Sequence, residues 1–190
     1  MSHVPPVPYA AAGVLGRTAY RMSRRQYGEV LEPMSVWRHH GGVFWTWGLF
    51  ELANQRALRV LPERVRSLAV YRTAVVIGCS WCVDFGAALW QQQGLDPADL
   101  TAVSQHRYDR LSADERAAVE MADAMTAQPP DVSDERMADL RERFGDDGVV
   151  ELTYVIALGN MRSRFNAALG LSAQGFTSGE ACRLPTAAAS

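Results

Sequence analysis

Signals that begin and end helices recur along this chain of 190 residues, and they constrain its fold more than any other feature. Ser112 stands three residues before Glu115, the pattern of a capping box, and apolar residues follow at helical spacing. Asp96 followed by Pro97 predicts a second helix start. The apolar–polar alternation of a half-buried strand is hard to find anywhere in the chain. The sequence therefore predicts an all-α fold.

Glycine and proline divide the rest of the chain into further predicted helices. One helix is expected to begin at Ser133 and to stop at Gly145, and the next to run on to Gly170. The stretch 35–62 is expected to be helical on both sides of its Gly-Gly pair and to close at Pro62. The PPVP run near the start and LPTAAAS at the end predict loose tails.

The segment VVIGCSWCVDFGAALW carries two cysteines within an apolar run. Residues 63–77 are predicted to form a buried helix, because no partner strand for its VVI end appears elsewhere. Gly78 is expected to break this helix before a second one, 79–93. Cys79 would then lie in the first helical turn with Cys82 one turn further on the same face. Three interpretations stay open: a redox pair, half of a metal site, or two small core residues.

Composition and charge argue against several classes of protein. A net charge of -2 and a pI near 6.1 give no reason to expect nucleic acid or an anionic membrane as partner. No apolar run is long enough to span a bilayer, and the N-terminus does not resemble a signal peptide, so a cytoplasmic protein is expected. An odd number of cysteines, 3, does not suit a disulfide-stapled secreted domain.

The chemistry of the pair depends on its surroundings. Unpaired N–H groups and the positive end of the helix dipole favour a thiolate at Cys79. Arg72 would lie on a similar face if the two helices were continuous, and its charge would then lower a cysteine pKa further. A structural zinc site needs four ligands. Cys182 lies in the tail, and the adjacent His39 and His40 point to different sides of a helix, so no metal is expected.

Other polar residues in apolar surroundings are candidates for a pocket. Glu51 is nearly alone among apolar neighbours, where it would act as an acid–base group or pair with an arginine. The C-terminal helix carries four polar residues, Asn160, Arg162, Arg164 and Asn166. They would line a pocket, bind a carboxylate, satisfy buried backbone or form an inter-subunit ion pair, for instance with Glu151. The five tryptophans would line a cavity or form core or interface.

Three segments together resemble the carboxymuconolactone decarboxylase-like superfamily, which includes the alkyl hydroperoxidase D proteins. They are LPERVRSLAVYRTAVVIGCSWCVDFG, LSADERAAVEMADAMT and VVELTYVIALGNMRSRFNAALGL. The resemblance covers roughly residues 35–176, which implies one helical domain there, an N-terminal extension over 1–34 and a tail over 177–190. It also implies a homo-oligomer, such as a dimer, trimer or hexamer.

The same resemblance implies hydroperoxide reduction by a CxxC pair that a dithiol or lipoyl-type partner recharges, with no cofactor besides a redox-active disulfide. Cys82 would be the attacking thiolate, Cys79 the resolving thiol, and Arg72 matches an arginine that commonly precedes the pair. Two positions depart from the family. Ser67 stands in place of the relay glutamate and Gly86 in place of the relay histidine, and neither can move a proton near neutral pH.

These departures leave room for other functions. If peroxidase chemistry survives, another group must supply the proton, and the candidates by residue type are Glu51, Asp84, His106, His39 and His40. A second hypothesis is a non-redox enzyme on the same fold, in which Glu51, Arg164 or a histidine acts on a small organic acid, lactone or biosynthetic intermediate. A third is a non-catalytic oligomeric or binding protein. The CSWC motif argues against the decarboxylase branch, which does not use the cysteine pair.

Overall fold

The computed structural model describes residues 2–177 as α-helices joined by short loops, with no strand among them, which confirms the predicted all-α fold. The helices are α1 (Gly13–Tyr27), α2 (Glu32–Trp37), α3 (Gly41–Ala57), α4 (Glu63–Ile77), α5 (Ser80–Gln92), α6 (Pro97–Ser104), α7 (Ala113–Thr126) and α8 (Asp134–Ala168). A short 3₁₀ turn, Tyr9–Ala11, precedes α1. Within residues 2–177, no helix combines the length and the apolar character needed to cross a bilayer.

The chain divides into two compact units. Among the described residues, the first unit comprises 2–58 together with Leu169–Leu171, and the second comprises Arg59–Ala168 and 172–177. All three of the segments α1, α2 and α3 belong to the first unit, and α4 to α8 belong to the second. The domain limits expected at residues 35 and 176 remain predictions.

The first unit contains a helix that the sequence did not reveal. Helix α1 has no capping side chain at its start, so its N-terminus carries no local signal. Its Tyr20 hydroxyl donates to the carbonyl of Val7 at 3.1 Å. The prediction of a loose N-terminus is wrong, because the Val7 N–H also donates to Ser35 at 3.1 Å and the His3 N–H donates to Leu169 at 2.8 Å. The final LPTAAAS run lies outside the described residues.

Helix α4 is the centre of the second unit, where it packs against α5, α6, α7 and α8. The prediction of a buried helix over 63–77 is confirmed. Its apolar side chains join those of α5, α6 and α7 in one core cluster, which includes Leu68, Tyr71, Ala74, Val75, Val83, Ala87, Trp90, Leu100, Val103 and Val119. Burial of this shared apolar surface supplies the main driving force for the unit.

Most helix boundaries follow the signals in the sequence. Ser112 and Glu115 form the reciprocal capping box of α7, and the Asp96 side chain accepts from the Ala98 N–H at the start of α6. Gly145, at φ 66°, interrupts α8 at the place where a helix end was predicted. Helix α3 stops at Ala57, before the expected end at Pro62.

Buried ion pairs tie the helices of the second unit together. The Glu151 carboxylate accepts backbone N–H groups of residues 59–61 at 2.9–3.1 Å and pairs with Arg66 at 3.1 Å. Burial raises its pKa, but these donors outweigh burial and leave the pKa of Glu151 below its ordinary value. Glu151 thus has partners within the chain, and an inter-subunit ion pair that involves it stays a prediction.

Candidate active site

A break between α4 and α5 sets the position of the two cysteines. Gly78 ends α4 at φ 80°, a left-handed conformation that L-residues with a Cβ rarely adopt. Cys79 follows in extended conformation as the N-cap of α5, and its sulfur accepts from the Cys82 N–H at 3.3 Å. The predicted helix break and the predicted helix-start position of the pair are both confirmed. The pair thus lies at the positive end of the α5 dipole.

The two sulfur atoms differ in exposure. Cys79 and Cys82 are joined in the structure with their Cα atoms 5.3 Å apart, which lies in the usual range for a disulfide. Cys79 is 1% exposed, whereas Cys82 is half-buried at the edge of the core cluster. Solvent therefore has better access to the Cys82 residue than to the Cys79 residue.

One polar side chain from a distant part of the sequence contacts the pair. The Nδ2 atom of Asn166, on α8, lies 3.5 Å from the sulfur of Cys82. The sequence marked Asn166 only as a pocket or backbone-binding residue, because nothing in a separation of 84 residues signals this contact. A helical period shows which face of α8 is buried, but it does not show which residue of α5 that face meets.

Asp84, which lies on α5 with Cys82, binds the backbone of residues 175–177. Its buried carboxylate accepts from the N–H groups of Gly175 at 2.7 Å, Phe176 at 3.2 Å and Thr177 at 3.2 Å. The Trp81 indole N–H also donates to Gln174 at 2.7 Å. Both contacts fasten residues 174–177 onto α5. An acid–base role for Asp84 stays a prediction.

The same segment completes an aromatic cluster beside the cysteines. Trp81 stacks on Phe85 with ring centroids 4.9 Å apart, and Phe176 meets Phe85 edge-on at 5.5 Å. Trp81 stands between the two cysteines in the sequence, so one member of this cluster is their immediate neighbour along the chain. The other tryptophans are divided between the two units: Trp37 and Trp47 pack together in the first, and Trp90 is buried in the second.

Arg72 is buried, with partners on α6 and α7. Its guanidinium pairs with Asp123, donates to the Val103 carbonyl at 3.1 Å and contacts the imidazole of His106. The Tyr108 hydroxyl donates to the second oxygen of Asp123 at 2.7 Å, and burial together with this carboxylate raises the pKa of Tyr108. The argument that placed Arg72 beside the cysteines required α4 and α5 to be continuous, whereas Gly78 separates them. Its role toward a thiolate stays a prediction.

The remaining predicted residues are dispersed. Glu51 lies in the first unit, where it accepts from the Trp47 indole at 2.9 Å. Two histidines of that unit are engaged locally, since His39 contacts the Pro5 carbonyl at 2.8 Å and His40 caps α3. Arg164 is exposed on α8. Cys182 lies outside the described residues.

The two positions that depart from the family's relay belong to the second unit. Gly86 lies on α5, and a Cβ built there would stand 3.4 Å from the ring of Tyr71. The place expected for a relay histidine therefore faces an aromatic ring of the core. Ser67 is half-buried on α4. Within residues 2–177, no group of three or more His, Cys, Asp or Glu side chains is arranged to hold a metal ion.

Comparisons with known proteins agree with this architecture. The model of the carboxymuconolactone decarboxylase family matches residues 43–124, which include both cysteines. The uncharacterized protein YnjA of Escherichia coli (strain K12) is 34% identical over 165 residues, which cover 86% of this chain and 88% of YnjA.

Two solved structures share the fold. An alkylhydroperoxidase AhpD core, an uncharacterized peroxidase-related protein from Ralstonia eutropha JMP134, has a TM-score of 0.82 at 18% identity, with 92% of this chain and 94% of that chain covered. The debrominase Bmp8 has a TM-score of 0.74 at 18% identity, with 91% of this chain and 92% of that chain covered. At such low identities the likeness establishes the fold and not the activity. The family match and the relative show that this chain belongs to the carboxymuconolactone decarboxylase family, and the solved structures show that it has the alkyl hydroperoxidase D-like fold.

Proposed function

We propose that the protein is a thiol-dependent oxidoreductase that reduces hydroperoxides through Cys79 and Cys82. The observation that carries this proposal is the arrangement of the pair: two sulfurs within bonding reach at the start of α5, with Cys79 buried and Cys82 half-buried. A helix N-terminus favours the thiolate form that attacks a peroxide bond. The membership of the family supports an enzyme, and its fold fits peroxidase-like as well as other activities.

The reaction has two steps within the chain. The Cys82 thiolate attacks the terminal oxygen of the hydroperoxide, the O–O bond breaks, and the departing alkoxide takes a proton to leave as an alcohol. Cys82 then carries a sulfenic acid. The Cys79 thiolate attacks this sulfur, the S–O bond breaks, and the oxygen leaves as water after protonation. Two thiols have been oxidised to a disulfide and one hydroperoxide reduced to an alcohol and water.

A dithiol donor closes the cycle. One of its thiolates attacks the Cys79–Cys82 disulfide, which forms a mixed disulfide and releases one cysteine thiolate. The second donor thiolate then attacks the donor sulfur of the mixed disulfide and releases the other cysteine, so that the donor leaves as a disulfide and both cysteines are reduced. A lipoyl group on a partner protein has this chemistry. With Ser67 and Gly86 in place of the relay residues, solvent at the half-buried Cys82 is the source of the protons.

The test follows the covalent state of the reduced, full-length protein after an organic hydroperoxide is added. Mass spectrometry with peptide mapping should show a Cys79–Cys82 disulfide that a dithiol reverses. Cys82→Ser should abolish the reaction, and Cys79→Ser should accumulate a sulfenic acid on Cys82 that a sulfenic-specific reagent traps. Cys182→Ser is the matched control and should react like the parent. Oxidation no faster than that of a free model thiol would contradict the proposal.

A second candidate keeps the fold without cysteine redox chemistry. It is a non-redox enzyme acting on a small organic acid, lactone or biosynthetic intermediate, and the observation in its favour is the absence of both relay side chains at Ser67 and Gly86. The cluster of Trp81, Phe85 and Phe176 offers such a substrate an apolar surface. This candidate expects the Cys79→Ala, Cys82→Ala double variant to retain turnover of its substrate, and a strong loss would rule it out.

A further inference from the structure

We propose that Asn166 stabilises the thiolate of Cys82, an inference that rests on the proposed role of Cys82 as the attacking sulfur. The amide nitrogen Nδ2 of Asn166 lies 3.5 Å from that sulfur, within the range of an N–H···S hydrogen bond. Asn166 lies on α8 and Cys82 lies on α5, so the contact joins two helices of the second unit. The amide N–H group is thus a donor directed at the Cys82 sulfur.

The burial of Asn166 sets it apart from an ordinary surface amide. The residue is 2% exposed, and among the described residues its Oδ1 atom has no hydrogen-bond partner. A buried polar atom without a partner costs free energy, and an apolar side chain of similar size would avoid that cost. No hydrogen bond of Oδ1 anchors the amide. The contact that Nδ2 makes with Cys82 is therefore the polar interaction that an asparagine supplies at this position.

The contact changes in strength with the redox state of the pair. A disulfide sulfur is a weak acceptor, whereas a thiolate is an anion, and a hydrogen bond to an anion is shorter and stronger than a neutral one. The N–H group of Asn166 consequently favours the Cys82 thiolate over both the thiol and the disulfide. The expected consequences are a lower pKa of Cys82 and a disulfide that a dithiol reduces more readily.

Several charged groups on the helices around α5 have partners of their own, and Arg164 on α8 is exposed. On α5 itself, Asp84 binds residues 175–177. The paired groups on the neighbouring helices are Arg64 with Asp99 and Glu115, Arg66 with Glu151, and Arg72 with Asp123. Two further titratable residues lie near Cys82. Tyr71 belongs to the core cluster against which Cys82 packs, and Cys79 is bonded to Cys82. Asn166 is the side chain outside α5 for which the structure gives a hydrogen bond to the Cys82 sulfur.

The test measures the pKa of Cys82 directly, in the full-length protein with Cys79→Ser and Cys182→Ser so that one thiol remains. The rate of alkylation by iodoacetamide is recorded against pH, and its midpoint gives the thiolate pKa. Asn166→Leu should raise that pKa and slow alkylation at neutral pH about tenfold, since a charge-assisted hydrogen bond contributes at least one pKa unit. Asn166→Asp, which keeps the shape and adds a like charge, should raise the pKa further.

Asn160→Leu is the matched control. Asn160 is a partly buried amide on the same helix, and its Nδ2 donates to Thr126 at 3.0 Å and to the Ile156 carbonyl at 3.2 Å. Its loss should leave the pKa of Cys82 unchanged. An unchanged pKa in folded Asn166→Asp or Asn166→Leu would overturn the inference.

A redox measurement separates this inference from the proposed function. In protein with Cys79 and Cys82 intact, equilibration with a dithiol buffer should show a disulfide that is about tenfold harder to reduce in Asn166→Leu than in the parent. A shift in Cys82 pKa without any oxidation by hydroperoxide would keep the role of Asn166 and reject the substrate. Rapid oxidation by hydroperoxide with an unshifted pKa would keep the proposed function and reject the role of Asn166.

Discussion

At the scale of single residues, Gly78 carries the turn that presents the cysteines. It adopts φ 80°, and a Cβ built on it would meet no atom within 4 Å, so the demand for glycine here is conformational and not steric. Gly78→Ala should therefore lower the free energy of unfolding by about 1–2 kcal/mol, the cost of a left-handed conformation in an L-residue. Denaturant unfolding of the reduced protein measures this change.

Asparagine at the same position supplies the control, because its short polar side chain tolerates the left-handed region better than alanine does. Gly78→Asn should be more stable than Gly78→Ala and less stable than the parent. Equal stability of the alanine variant and the parent would show that the turn does not depend on positive φ at this residue.

At the scale of elements, the backbone N–H groups of the segment 175–177 are bound by one side chain of α5. The carboxylate of Asp84 accepts these three N–H groups and the Thr177 hydroxyl. Asp84→Ala removes hydrogen bonds to a charged group worth about 1.5–3 kcal/mol each. The amides of Gly175, Phe176 and Thr177 should then exchange with solvent deuterium at least about tenfold faster.

Two comparisons make the exchange result specific. Asp84→Asn keeps an acceptor of the same shape and should fall between the parent and Asp84→Ala. Asp109→Ala removes an exposed carboxylate from a loop and should leave exchange in the segment unaltered. If Asp84→Ala leaves the three amides protected, the aromatic contacts of Phe176 hold the segment and the carboxylate does not.

Local signals account for what the sequence predicted of the elements. Three such signals act within one helical turn, so each can be recognised in a short window of sequence: the capping box at Ser112, the N-cap at Asp96 and the left-handed Gly78. Helix α1 was not predicted because its start has no capping side chain and because two of its apolar residues, Val14 and Leu15, are exposed. Its buried residues are Gly16, Tyr20 and Ser23, which are not the strongly apolar side chains by which a buried helix face is recognised.

Contacts across the fold could not be predicted in the same way. Asn166 meets Cys82, and Asp84 meets residues 175–177, at separations that no helical period spans. The resemblance to the family located the cysteines but could not supply these partners, since Ser67 and Gly86 depart from its pattern where it would have been informative. For Arg72, the helical wheel assumed that α4 and α5 continue through Gly78, which they do not, and the wheel could not show that the guanidinium binds groups of α6 and α7.

At the scale of the whole molecule, we propose a homo-oligomer. Helix α3 exposes a row of apolar side chains at helical spacing, with Trp45 43%, Leu49 64% and Leu52 47% exposed. Such a row is typical of an interaction surface. Light scattering coupled to gel filtration should therefore find more than one copy per particle.

Leu49→Glu tests this surface, because it places a charge in the centre of the row. The variant should weaken self-association by about tenfold or more, the range for a disrupted interface centre. Gln55→Glu adds the same charge at an exposed polar position of α3 and should leave the assembly intact. A monomer at every concentration of the parent protein would contradict the proposal.

The most direct measurement of the central claim is the rate at which hydroperoxide oxidises the reduced cysteine pair. Stopped-flow fluorescence can follow it, because Trp81 lies between the two cysteines. The account predicts a rate that rises linearly with hydroperoxide concentration, exceeds that of a free thiol, and disappears in Cys82→Ser. A rate equal to that of a free thiol, or one unaffected by Cys82→Ser, would contradict the claim that Cys82 is the sulfur that attacks the hydroperoxide.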